Sequence, residues 1–223
     1  MNIILSVIFF SSIFLVDGYS YENGTLKCPN ETIGQTFLVP ELNNSYTKVN
    51  DTTFRDYKTD NQFDKFETLC TTNITDMSFI FNEIVFNSNI STWDTSNVRT
   101  MAGMFFASSA FDQDISKWNT ENVKEMYEMF SEATTFNQDL SKWNTGNVYD
   151  MTWMFGGAWS FNQDVSNWDT SSVTDMADMF NNATLFNQSL TNWCVKNVTG
   201  KTDFSLNSPI GLIPEFQPLW NGI

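Results

Sequence analysis

The chain is expected to fold as an α/β solenoid. About five coils of 25 residues place parallel strands on one face and short helices on the other, with a cap at each end. Three observations predict this. Trp93, Trp118, Trp143, Trp168 and Trp193 lie 25 residues apart, and most neighbouring positions repeat with them. Each copy divides into one half with helical periodicity and one with strand alternation. A unit of this length cannot bury its own apolar face, so it needs a neighbour stacked on it before burial outweighs chain entropy.

The helical half is clearest at Val123, Met126, Met129, Phe130 and Ala133, an i, i+3, i+6, i+7, i+10 stripe. The same columns recur as Val98, Met101, Met104, Phe105 and as Val148, Met151, Met154, Phe155, Ala158. Asn122 with Glu125, Asn147 with Asp150, Ser172 with Asp175 and Asn73 with Asp76 have the spacing of capping boxes, each stabilising a helix start by about 1 kcal/mol. Those carboxylates are thereby assigned to structure rather than catalysis.

In the other half, Ile90, Ile115, Leu140, Val165 and Leu190 form an unbroken aliphatic column that points inward. Strand alternation turns the flanking Asp114, Asp139 and Asp164, and Ser116, Ser141 and Ser166, toward solvent. Phe111, Phe136, Phe161 and Phe186 share the inward parity, as do Gln113, Gln138, Gln163 and Gln188. Inward amides require either hydrogen bonds along the stack or a bend at the Gln, because an unsatisfied buried amide costs about 1–3 kcal/mol. Strand, turn, capped helix, turn and next strand is the connectivity of leucine-rich repeats, with right-handed crossovers.

The ends differ from the array. Residues 3–16 form an apolar run of secretory-signal length, too short to span a bilayer, with Gly18 and Ser20 as small residues before a cleavage at Tyr21. The chain is thus divided into a signal peptide (residues 1–20), an N-terminal cap (21–69), the array (70–198) and a C-terminal cap (199–223). In the last segment Gly200 replaces the acid column, and Pro209, Pro214 and Pro218 forbid another helix. Phe204, Ile210, Leu212 and Trp220 are expected to cover the final coil. No membrane span remains after cleavage.

Export makes the three cysteines interpretable as a disulfide framework. Cys70 and Cys194 share a repeat column about five coils apart, roughly 24 Å at strand spacing and beyond the ~7 Å limit for a bridge. Cys28 with Cys70 is the pair that geometry allows, worth about 4 kcal/mol in the chain-entropy model; Cys194 is left over. Glycosylation sequons stand in the cap at Asn23, Asn30, Asn43 and Asn50, and in the array at Asn73, Asn89, Asn182, Asn187 and Asn197.

With 26 acidic and 11 basic residues the net charge is −15, which disfavours nucleic acid and anionic membranes. The absence of histidine removes the commonest general base and zinc ligand. No catalytic or metal-ligating residues are assigned. The candidate binding face is the outward column of Asp114, Asp139 and Asp164 beside Ser116, Ser141 and Ser166, where closely spaced carboxylates attract Ca²⁺ or a basic partner, or simply keep the surface solvated. Two alternatives are ice or mineral binding through Thr95, Thr120, Thr145 and Thr170, and a carboxylate-based glycan-active enzyme.

The segment F-N-Q-D-L-S-K-W-N-T-G-N-V-Y-D-M-T-W-M-F (residues 136–155) closely resembles the repeat of the BspA-like leucine-rich-repeat surface proteins, a family also catalogued as a domain of unknown function. The resemblance covers residues 70–198. Cys28-Pro-Asn, Ile33-Gly-Gln-Thr and Leu69-Cys70-Thr-Thr-Asn-Ile-Thr-Asp-Met are similar to the leader region of such proteins from marine bacteria. It implies a non-enzymatic scaffold, secreted or at the cell surface, associated with adhesion to a surface protein or glycan. A monomer is expected.

Overall fold

Between one coil and the next, backbone N–H groups at alternate positions donate forward to carbonyls 24 residues later. Met101, Gly103, Phe105 and Ala107 reach Glu125, Tyr127, Met129 and Ser131 at 2.8–3.0 Å, and Met126, Glu128, Phe130 and Glu132 repeat the pattern onto the following coil. Parallel bridges join Asp76, Thr100, Glu125, Asp150, Asp175 and Gly200 in one line. This computed structural model describes residues 18–220. Residues 1–17, including the apolar run expected as a signal, lie outside the described residues. Tyr19 and Ser20, which cleavage before Tyr21 would remove, are packed in the N-terminal cap, Tyr19 stacking on Phe37 with ring centroids 5.4 Å apart.

The forward ladder corrects the expected helices. The stripe of Val123, Met126, Met129, Phe130 and Ala133 is buried, but on consecutive turns rather than a helix. Met104, Phe106 and Ser108 donate to carbonyls three residues back, between the forward bonds. Every fourth residue of this half takes the left-handed conformation: Gly103 and Ala107, Glu128 and Glu132, Trp153 and Gly157, Asp178 and Asn182. Tandem turns of this pitch mimic the helical spacing of apolar residues while sending half the N–H groups to the neighbouring coil. A helix of about three turns is marginal on its own, and equal coil lengths let the ladder satisfy the backbone instead.

The expected capping boxes are absent for the same reason. Asn122, Asn147 and Asn197 donate their side-chain amides to the carbonyls of Ser96, Glu121 and Ser171 in the preceding coil at 2.7–2.8 Å. Asp150 and Asp175 instead accept the N–H two residues on, at 2.9 Å, in Asx turns. The strand expected around Ile115 is replaced by an irregular segment with a turn, Trp118 N–H to Ile115 carbonyl. Its coil-to-coil bonds come from side chains. Asp112 Oδ1 accepts both the Asn137 N–H and the Gln138 amide at 2.9 Å, and Asn87, Asn137 and Asn162 play the same part in their coils. The Gln column, expected inward, is half-buried, and of the two arrangements open for it the amides take the bonds along the stack.

The core is aromatic. Phe81, Phe105, Phe130, Phe155 and Phe180 stack at 5.5–5.6 Å, and Phe86, Phe111, Phe136, Phe161 and Phe186 form a second column at 5.8–6.3 Å. The two columns face each other within each coil at 3.7–4.0 Å. Identical rings recur at stacking distance because coils repeat in register, and each such pair adds about 0.5–1.5 kcal/mol beyond burial. The five Trp residues of the repeat, nearly buried, donate Nε1–H to carbonyls of the preceding segment: Trp93 to Phe66, Trp118 to Ile90, Trp143 to Ile115, Trp168 to Leu140 and Trp193 to Val165.

The N-terminal cap pairs β1 (Ser20–Glu22) with β2 (Thr25–Lys27), and β3 (Thr36–Val39) with β4 (Asn44–Lys48), which runs parallel to β5 (Leu69–Cys70). Helix α1 (Asp51–Thr59) begins at Asn50, whose side chain and Thr53 form a capping box. It covers the open edge of the first coil. Asp51 accepts from Thr75 and Asp76 N–H, Arg55 donates to the Ser78 carbonyl that no earlier coil can reach, and Lys58 donates to the Phe79 carbonyl. Cys28 and Cys70 are bridged, with Cα atoms 6.4 Å apart, and Cys194 is a free thiol. At the other end Phe204 and Ile210 are buried and Trp220 packs edge-on against Phe204, but Leu212 is 87 % exposed and covers nothing. Among the described residues no helix is long and apolar enough to cross a membrane.

Candidate functional site

Asp114, Asp139 and Asp164 are exposed on one edge of the array, with Ser116, Ser141 and Ser166 half-buried beside them. Each carboxylate accepts the N–H of the serine two residues on at 2.9 Å. The serine hydroxyl adds a second bond, and the two together hold all three carboxyls below the usual aspartate range. Lys117 and Lys142 assist at Asp114 and Asp139, and Asp139 opposes at Asp114 and Asp164. Each carboxylate is therefore a turn acceptor within its own coil. Among the described residues no group of three or more His, Cys, Asp or Glu side chains is arranged to hold a metal ion.

The threonine alternative meets a direct obstacle. Thr95, Thr120, Thr145 and Thr170 are each 1 % exposed, and their hydroxyls donate to the carbonyls of Asn119, Asn144, Asp169 and Cys194 in the next coil. A column that faces inward cannot present hydroxyls to an ice or mineral surface. Of the cap sequons, Asn23, Asn30 and Asn43 are exposed, with Asn23 and Asn43 in left-handed turns, while Asn50 is half-buried at the start of α1.

Departures from the repeat were expected only at the ends, but one coil in the middle departs too. Trp153, Gly156, Gly157 and Trp159 replace Glu128, Ser131, Glu132 and Thr134 of the coil before it. They line a surface groove of about 770 Å³. Comparison of repeat columns, rather than of motifs, would have found it.

Asp94 is a second departure. Asn119, Asn144 and Asp169 in its column are exposed, whereas Asp94 is 2 % exposed beside the β1–β2 hairpin, where Leu26 N–H bonds to Thr92. Its Oδ1 accepts from Ser96 N–H and its Oδ2 has no partner among the described residues.

One family matches the chain, described as Mycoplasma protein of unknown function, DUF285; it aligns over residues 48–156 and again over 128–208. The match supports the BspA-like repeat family that residues 136–155 resemble, without the leucine-rich-repeat detail. No curated protein and no solved structure matches the chain.

Proposed function

We propose, on the premise that this chain belongs to the DUF285 family, that it is a non-enzymatic scaffold, exported or held at a cell surface, that binds a protein or glycan of a facing surface. The coils are read as one continuous right-handed solenoid, acting as a monomer. The observation that carries this reading is that the recurring polar side chains are engaged between coils or in their own turns. The Asx–Gln ladder, the Asn clamps, the buried threonines and the tryptophan N–H groups join one coil to the next. With no histidine in the chain, and with the regular carboxylates holding turns, the repeats carry rigidity rather than reaction chemistry.

The test is binding of the labelled chain to intact cells, with competition by unlabelled protein. Saturable binding is expected. Its loss after periodate treatment of the cells indicates a glycan, and loss after proteolysis indicates a protein. Absence of saturable binding to every cell type tried would remove the proposal.

A further inference from the structure

Of the three tryptophans outside the repeating Trp column, two sit in one coil, Trp153 and Trp159, on either side of Gly156 and Gly157. The neighbouring coils carry Thr134 and Thr184 where Trp159 stands, and Glu132 and Asn182 where Gly157 stands. All four central residues line the same groove, with Glu132 and Thr134 on its edge. A Cβ on Gly156 would lie 2.3 Å from Cε3 of Trp153, so the bare glycine is what allows that indole to lie against the backbone. Trp153 is held at φ 56°, the left-handed conformation that Glu128 and Asp178 share in its column, so the departure at this position is the indole and not the backbone. Trp159 is 57 % exposed.

The five column tryptophans donate their N–H groups to backbone carbonyls. Those of Trp153 and Trp159 have no acceptor among the described residues. An exposed aromatic face with unengaged donors, a hydroxyl and a carboxylate around it is the chemistry that recognises a sugar. The electron-rich ring takes the C–H face of a pyranose, the indole N–H groups donate to its hydroxyls, and Glu132 accepts from them. The net charge of −15 and Glu132 itself work against sialylated or sulfated chains.

We propose that the groove at Trp153, Gly156, Gly157 and Trp159 binds a neutral glycan, with a pyranose ring laid on Trp159. This rests on the surface-binding reading and gives that reading one site and one ligand class.

The experiment compares wild type, Trp159→Thr and Gly157→Asn on an array of neutral, sialylated and sulfated oligosaccharides, with a basic peptide as a further probe. Both substitutions install the residue of an adjacent coil; the thermal midpoint should hold for Trp159→Thr and fall slightly for Gly157→Asn, whose Cβ would lie 3.3 Å from Glu132 Cγ, because Asn tolerates the left-handed conformation that Asn182 already holds. The expected result is saturable binding of at least one neutral oligosaccharide, weakened tenfold or more in both variants. Binding by both variants equal to that of wild type, preference for anionic chains, or binding of the basic peptide alone would overturn it. If the variants bind cells as wild type does, the groove assignment fails and the scaffold reading stands; if wild type binds neither glycans nor cells, both fail.

Discussion

The indole nitrogen of Trp143 donates to the carbonyl of Ile115 at 3.2 Å, across the boundary between two coils. The same bond recurs through the repeat, so a residue that looks like a core aromatic is also a backbone partner. Trp143→Phe keeps a ring but removes one of the two hydrogen bonds to the Ile115 carbonyl, leaving that from the Trp118 backbone N–H, and opens space in the core. Urea unfolding should show a loss of about 2–4 kcal/mol. Trp159→Phe, on an exposed residue, should change stability by no more than about 0.5 kcal/mol.

Asp94 buries a carboxylate oxygen that has no partner among the described residues. Asp94→Asn, the residue of the two following coils, removes a buried charge while keeping the oxygen that accepts from Ser96. The expected outcome is a gain of about 1–3 kcal/mol in urea unfolding; a loss of stability would show that the charge has a partner in solution.

Asp114, Asp139 and Asp164 have carboxyls held below the ordinary value by serine hydrogen bonds. A depressed folded value means their contribution is fully present above the unfolded aspartate value, about 3.9, and is lost as pH falls through the folded values. The thermal midpoint should therefore decline below about pH 4. Replacing Ser116, Ser141 and Ser166 by Ala should soften that decline, because the hydroxyl bonds that depress the carboxyls are gone.

Reduction of the Cys28–Cys70 bridge releases the β1–β2 hairpin from β5. Its removal should cost up to about 4 kcal/mol. Alkylation of the unfolded, unreduced chain should modify one thiol, Cys194, and three after reduction; modification of none before reduction would show that Cys194 is paired in another way.

The array, its period and its inward columns were legible in the sequence because identical residues at fixed spacing must share an environment. The bridge of Cys28 and Cys70 followed from column arithmetic in the same way. Secondary structure was not legible. Met126, Met129 and Phe130 have helical spacing, but tandem turns with Glu128 and Glu132 in left-handed conformation reproduce that spacing, and only the partner coil reveals where the N–H groups go. The outward acids were located correctly, yet the hydrogen bonds that tie them to their serines were hidden. The groove escaped notice because Trp153 and Trp159 resemble core aromatics until their columns are compared.

The central claim is that coils are joined by forward backbone bonds and not by the packing of helices. The most direct test is scalar coupling across a hydrogen bond, measured by NMR at the Glu128 amide. The structure predicts coupling between the Glu128 nitrogen and the Thr152 carbonyl carbon, whose oxygen lies 2.8 Å away. Coupling to the Lys124 carbonyl, the i−4 partner of an α-helix, would contradict it.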